Sequence, residues 1–236
     1  MSAPEVEAIV LVSGGLDSCV ALAWAQRQGW RLRALHVSYG QRTEARERAA
    51  YEAIADYYQI PASRRLCTSV QYLARIGGSS LTDPSLPVET ADLGRSSIPS
   101  TYVPFRNTHL LTIAASWAEV VGVNRIVIGA VEADSSGYPD CTRGYYDAFN
   151  TLLRVAAARG PIQVETPLID MRKADIVRLG YELGAPLHLT WSCYKDTVRA
   201  CGVCDSCALR LRGFAEAGLA DPIEYAASPL GRNDSP

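Results

Sequence analysis

Apolar and polar positions along this chain alternate between two spacings. Ala8–Val12 is a short continuous apolar run, the mark of a buried strand, and it leads into a helical pattern over Asp17–Gln28 that stops at Gly29. Arg31–Ser38 predicts a second strand, and Gln41–Tyr58, rich in charge and alanine, a long helix closed before Pro61. A third strand is expected near Arg64–Thr68. Gly77–Ser100 is full of Gly, Ser, Pro and Asp without a sustained period, which predicts a long loop over a site. Asn107–Val121 returns to helical spacing, and the β-branched run Arg125–Gly129 is expected to lie beside the first strand, with Val131–Asp140 following at its C-terminal end. Two further helices, Tyr145–Arg159 and Arg172–Leu183, are closed by Gly160 and Gly184. Strands alternating with helices in this way predict an α/β fold, a doubly wound parallel sheet with helices on both faces and no internal repeat.

Composition narrows the picture. Apolar residues make up 48% of the chain and charged residues 20%, a mixture suited to a soluble domain and too polar-interspersed for membrane spans. Ala8–Val12 is too short for the core of a signal peptide and runs straight into a glycine loop, so a cytoplasmic location is expected. The net charge of −2 gives no global attraction to nucleic acid. Seven cysteines is an odd number, and four of them crowd into Cys193–Cys207, which argues against a secreted disulfide framework and for a metal site.

The first strand runs into Ser13-Gly14-Gly15-Leu16-Asp17-Ser18 and then a helix. Small residues let backbone N–H groups approach an anion, the helix N-terminus adds positive potential, and Ser13 and Ser18 offer hydroxyls. The segment lacks the Gly-Lys-Ser/Thr of the Walker loop and the three-glycine dinucleotide fingerprint, so a pyrophosphate-like group is its expected guest. A tight turn with purely geometric glycines is the alternative. Asp17 argues against that, because a carboxylate inside a phosphate cradle makes sense when Mg²⁺ bridges it to the phosphates. In this context the segment resembles the ATP pyrophosphatase loop of enzymes that adenylate a substrate.

Cys193, Cys201, Cys204 and Cys207 supply enough thiolates for one closed tetrahedral Zn²⁺ per chain, a structural site with no open position. An iron–sulfur cluster and unligated thiols are the alternatives. Cys19 and Cys67 read as buried small hydrophobes, and Cys141 as a loop thiol. The expected organisation is an ATP-binding α/β domain over residues 6–190, a zinc-binding module over 191–221, and a fraying tail over 222–236.

Four more segments read in order with these motifs: Tyr39-Gly40-Gln41-Arg42, Tyr102-Val103-Pro104-Phe105-Arg106-Asn107, Gly137-Tyr138-Pro139-Asp140-Cys141 and Thr190-Trp191-Ser192-Cys193-Tyr194. Together they resemble the 7-cyano-7-deazaguanine synthase family over about residues 8–214, with Phe105 standing where a smaller residue is expected. The resemblance implies a ligase that takes 7-carboxy-7-deazaguanine, ammonia and ATP to a nitrile through adenylate and amide, with bound Zn²⁺, as a homodimer in queuosine precursor synthesis. It implies no direct contact with nucleic acid. With no room for a glutaminase domain and Ser2 after Met1, ammonia is expected from solution.

No nucleophilic side chain is needed for that chemistry, so positive charge around the phosphates is the main requirement. Asp17 through Mg²⁺, Arg106 and Lys173 are the candidates; a surface salt bridge for Arg106 and a solvated helix position for Lys173 are the alternatives. The deazaguanine edge offers adjacent N–H donors that one carboxylate can accept, from Asp134 or Asp140, unless these cap turns. Gln41 and Arg42 are candidates to reach the nucleotide or the substrate carboxylate. His36, His109 and His188 show no ligand spacing and are expected in core or surface roles. A tRNA-thiolating enzyme would share the loop but needs a basic surface and an acting cysteine. A non-enzymatic nucleotide-binding module leaves Asp17 and the long loop without a task.

Overall fold

The computed structural model describes residues 6–133 and 137–226. Its centre is a five-stranded, wholly parallel sheet in the order β3-β2-β1-β4-β5, formed by β1 (Glu7–Leu11), β2 (Arg31–Ser38), β3 (Arg65–Ser69), β4 (Arg125–Ile128) and β5 (Gln163–Glu165). The helices are α1 (Leu16–Arg27), α2 (Glu44–Tyr57), α3 (Tyr72–Ile76), α4 (Arg106–Val121), α5 (Arg143–Ala156), α6 (Lys173–Glu182) and α7 (Asp205–Ala217).

Because side chains alternate across a strand, β1 feeds two cores. Ile9 and Leu11 join Leu35, Ile126 and Ile128 under α4 and α5, through Leu111, Ala114, Phe149 and Leu153. Ala8 and Val10 join Ala34 and Val127 under α1, α2, α6 and α7, through Val20, Leu22, Ile54, Ile176 and Phe214. Helices therefore cover both faces, as expected for a doubly wound sheet. Strand order reverses at β1, and the crevice beyond the carboxyl ends of β1 and β4 is where ligands of such sheets bind.

The predicted strands and helices stand within a few residues of their expected ends, and β5, α3 and α7 are additions. No helix or strand occupies residues 77–105. That long loop is nonetheless anchored: Ser79, Ser80, Leu81 and Val88 are buried. Arg42 is committed to it, donating to the carbonyls of Ser80 at 2.8 Å, Asp83 at 2.6 Å and Leu86. Cys67, expected to be buried, is exposed, since β3 is an edge strand. The chain expected to fray from Pro222 is paired as far as Ala226, through Ala200 N–H to Glu224 O and Ala226 N–H to Ala200 O. The remainder of that tail lies outside the described residues.

Candidate active site

The phosphate loop connects β1 to α1, and its geometry explains its glycines. Gly14 has φ +92°, and a Cβ there would lie 2.5 Å from the Glu47 carbonyl oxygen. Gly129, at the end of β4, passes so close that a Cβ would lie 2.6 Å from the Asp17 carbonyl group. Ser13 Oγ accepts from Gly15 N–H at 3.2 Å and donates to Ser18 Oγ at 3.1 Å, which in turn donates to Gly15 O at 2.9 Å. The loop is thus closed on itself before any ligand arrives.

Lys173, the first residue of α6, reaches across to the loop. Its Nζ lies 2.6 and 2.7 Å from the two carboxylate oxygens of Asp17. Lys173 is buried, not solvated, and Gly213 of α7 makes room for it: a Cβ on Gly213 would sit 2.4 Å from Lys173 Cγ. A buried ammonium beside a partly open carboxylate is a charge reserve at the phosphate site.

Arg106 opens α4. Its guanidinium lies 5.4 Å from the Tyr39 ring centroid and 5.7 Å from that of Tyr138, with Nη1 3.3 Å from the Tyr39 hydroxyl. No carboxylate pairs with it among the described residues, so the surface salt bridge is not found. Burial raises the phenol pKa of Tyr39, Tyr138 and Tyr194, keeping these hydroxyls protonated and able to donate at neutral pH.

Phe105, just before Arg106, has φ 55° and ψ 19°, a left-handed conformation, with its ring 65% exposed. Glycine adopts this backbone without the side-chain clash that costs other residues about 1–2 kcal/mol. Phe105→Gly is therefore expected to raise Tm by about 2–8 °C for a chain of this size, as read by thermal melting. A fall in Tm would show that the exposed ring makes a stabilising contact.

Asp140 accepts the Asn107 N–H at 3.0 Å through Oδ2, capping the start of α4, while its buried Oδ1 has no partner among the described residues. Asp134 lies outside the described residues. Gln41 is turned inward, accepting Tyr39 N–H at 2.9 Å and donating to Glu47 at 3.0 Å. None of Gln41, Arg42 and Asp140 lines the cavity. Ser13, Gly15, Leu16, Asp17, Ser18, Arg106 and Lys173 do, around a volume of about 270 Å³ at the carboxyl ends of β1, β2 and β4.

The four cysteines Cys193, Cys201, Cys204 and Cys207 are all buried, with sulfurs within 4.8 Å of one another. Zn–S bonds of about 2.3 Å would set tetrahedral sulfurs about 3.8 Å apart, and Cys201 and Cys207 already stand at 3.9 Å. Cys193 Sγ accepts N–H groups of Lys195, Asp196 and Cys201 at 3.3 Å each, and Cys201 Sγ those of Val203 and Cys204 at 3.4 Å. Such N–H donors suit sulfurs that ligate a metal, and the group can hold a metal ion. It sits beside the phosphate loop, since Trp191 N–H donates to Gly14 O at 2.8 Å.

Residues 7–218 match the family described as queuosine biosynthesis protein QueC. Over 225 residues the chain is 56% identical to the 7-cyano-7-deazaguanine synthase of Chlorobium phaeobacteroides, covering 95% of this chain and 99% of the relative. The corresponding enzyme of Chlorobaculum parvum is 54% identical, covering 95% and 98%. The chain belongs to the 7-cyano-7-deazaguanine synthase family. Among solved structures it is similar to the U34-tRNA thiolase NcsA from Methanococcus maripaludis with its 4Fe–4S cluster, at a TM-score of 0.49 and 15% identity, covering 91% of this chain and 66% of that one.

In this synthase fold, several cavity residues escape a reading of the sequence. Tyr39, Tyr138 and Tyr194 lie inside the segments that carry the resemblance, yet nothing in their spacing says that they surround Arg106. Arg210 of α7 is the clearest omission. Only 2% exposed, it lines the cavity, pairs with Asp221 at 2.7 and 2.9 Å, and donates to Thr190 Oγ1 at 2.6 Å. It fixes the Thr190–Ser192 segment beside the loop.

Proposed function

We propose that this chain converts 7-carboxy-7-deazaguanine, ammonia and ATP to 7-cyano-7-deazaguanine through an acyl adenylate and an amide. The observation that carries the reading is one cavity lined by the phosphate loop, by Lys173 and by Arg106, which has no carboxylate partner among the described residues. ATP phosphates and an anionic acyl substrate both need positive charge, and the enclosed space brings them together.

The loop N–H groups and the Ser13 and Ser18 hydroxyls hold the pyrophosphate that leaves. Lys173 gives the phosphates a charge already stored at Asp17. Arg106 orients the substrate carboxylate against the α-phosphorus, and the protonated phenols around it donate to carbonyl oxygen. The carboxylate displaces pyrophosphate from ATP, ammonia from solution displaces AMP to give the amide, and the amide oxygen displaces pyrophosphate from a second ATP with loss of a proton. Loss of AMP and a proton leaves the nitrile. The oxygen-rich set at Asp17, Ser13 and Ser18 suits Mg²⁺, which would neutralise phosphate charge when bound. In the same reading Zn²⁺ occupies the four-cysteine site as a structural ion, and Asp140, which does not itself line the cavity, holds Asn107 of the cavity wall through its N–H.

The test is pyrophosphate release from ATP with 7-carboxy-7-deazaguanine and ammonium, with nitrile product followed by mass spectrometry. Release well above background, dependent on both co-substrates, is expected; background release alone would overturn the proposal. A thiolation reading requires a reactive cysteine. Burial pushes the thiol of Cys141, the cysteine lining the cavity, up to about 11, and it stays protonated near neutral pH.

A further inference from the structure

Among the titratable groups of the cavity wall that the phosphate, acyl and metal sites leave unused is a histidine. His36, on β2, is 1% exposed and is one of the residues that line the cavity. Its orientation is fixed twice. The ring lies against Tyr51 of α2 at a centroid distance of 5.0 Å, and Nδ1 is 3.0 Å from the carbonyl oxygen of Val12, the residue just before the phosphate loop. A carbonyl only accepts, so Nδ1 carries the proton in this bond. Burial lowers the imidazole pKa, which keeps the ring neutral. Nε2 is then a bare acceptor, and among the described residues it has no hydrogen-bond partner.

A buried acceptor without a partner is a standing penalty, and an apolar residue would pack against Tyr51 without it. The arrangement makes sense when a ligand brings a donor. Phosphate oxygens do not, since they accept and would be repelled by the Nε2 lone pair. The nucleoside half of ATP does, through the exocyclic amine of adenine and the ribose hydroxyls. Covalent attachment to phosphates held at Ser13–Ser18 keeps that half near Val12 and His36.

We infer that His36 Nε2 accepts a hydrogen bond from a donor on the nucleoside half of ATP, making His36 a specificity-determining residue. The inference rests on the reading that ATP occupies this cavity. It makes the ligand's donor, and not the protein alone, complete the hydrogen bonding of the β2 terminus.

The experiment measures Kd of the full-length, metal-loaded protein for ATP, ITP, 2′-deoxy-ATP and 3′-deoxy-ATP, without the deazaguanine substrate, in unmodified, His36→Leu and His36→Gln forms. His36→Leu is expected to weaken ATP about tenfold, the loss of one buried hydrogen bond, and His36→Gln, which keeps an acceptor, to recover part of it. The analogue lacking the read donor should bind the unmodified protein about as weakly and lose nothing further in His36→Leu. A deficit for ITP identifies the amine, and a deficit for a deoxy analogue the hydroxyl. In the unmodified protein the Nε2 nitrogen resonance should move upfield when ATP binds, a readout that does not depend on either variant folding. Unchanged ATP affinity in a folded His36→Leu, or an unmoved resonance at saturating ATP, overturns the inference alone. Failure of the unmodified protein to bind ATP overturns the proposed function along with it.

Discussion

Asp17→Asn is expected to lower ATP-dependent pyrophosphate release by about a thousandfold or more while leaving the fold in place. The substitution keeps the shape of the side chain and removes its charge. Two functions go with that charge: the only carboxylate within the Ser13–Ser18 loop, and the partner that holds Lys173 Nζ at 2.6 and 2.7 Å. In the ligand-free arrangement Asp17 and Lys173 neutralise each other, and a bound triphosphate gives the ammonium a second anion to serve. With asparagine the ammonium loses the carboxylate charge at 2.6 and 2.7 Å, and the hard-cation ligand of the cradle is gone. The cost to stability should be moderate, because solvent reaches the 31% exposed Asp17 side chain while the Lys173 side chain is only 9% exposed. A shift in Tm of a few degrees, retained metal at the cysteine site and a flat progress curve for pyrophosphate form the expected combination. Turnover close to that of the unmodified protein would remove Asp17 from the phosphate chemistry.

The fold is legible in the sequence wherever a segment does one job. β1 and β2 are buried on two faces and read as apolar or alternating runs, and α4 shows its spacing because Leu111, Ala114 and Ala118 face the core. β5 is not legible, since three residues, Gln163–Glu165, are too few to set a period. α7 is missed for a more interesting reason. Its buried face mixes Leu209 and Phe214 with Asp205, Cys207, Arg210 and Gly213, which break the apolar period. Asp205 accepts the Asp92 N–H at 3.0 Å, Cys207 belongs to the metal group, Arg210 clamps Asp221, and Gly213 clears space for Lys173. Function occupies the positions that periodicity would need. The candidate site divides in the same way. The Ser13–Ser18 loop and the four cysteines are local in sequence, so spacing finds them. Lys173 meets Asp17 only because α6 packs against α1 in space. Gln41 and Arg42 follow β2 as ligand-binding residues would, yet their side chains are consumed in holding the Tyr39 turn and the long loop.

Cys204→Ser is expected to remove the metal and most of the stability of the C-terminal third together. Cys204 is fully buried and immediately precedes α7, so its sulfur ties the helix start to the turn that carries Cys193 and Cys201. A serine hydroxyl is a poor replacement for a thiolate, and it leaves three sulfurs facing a gap. Because a structural metal contributes its binding free energy to folding, the loss should be on the order of 5 kcal/mol, comparable with the whole stability of many domains. For a chain of this size that is a fall in Tm of about 10–20 °C. The damage should not stay local. Asp205, next in the chain, clips the long loop through Asp92 and through Arg95 at 3.2 Å, and Val203 O receives the Ala91 N–H at 2.8 Å. α7 also positions Arg210 and, through Gly213, Lys173. Early proteolysis within residues 77–100 and weaker ATP binding should therefore accompany the metal loss. Elemental analysis of the unmodified protein should give about one zinc per chain without visible charge-transfer absorption, whereas such absorption with iron would replace zinc by a cluster on the same sulfurs. A Cys204→Ser protein that keeps its full metal content would exclude the four-sulfur site. One that loses the metal and melts unchanged would show that the ion is bound without holding the fold.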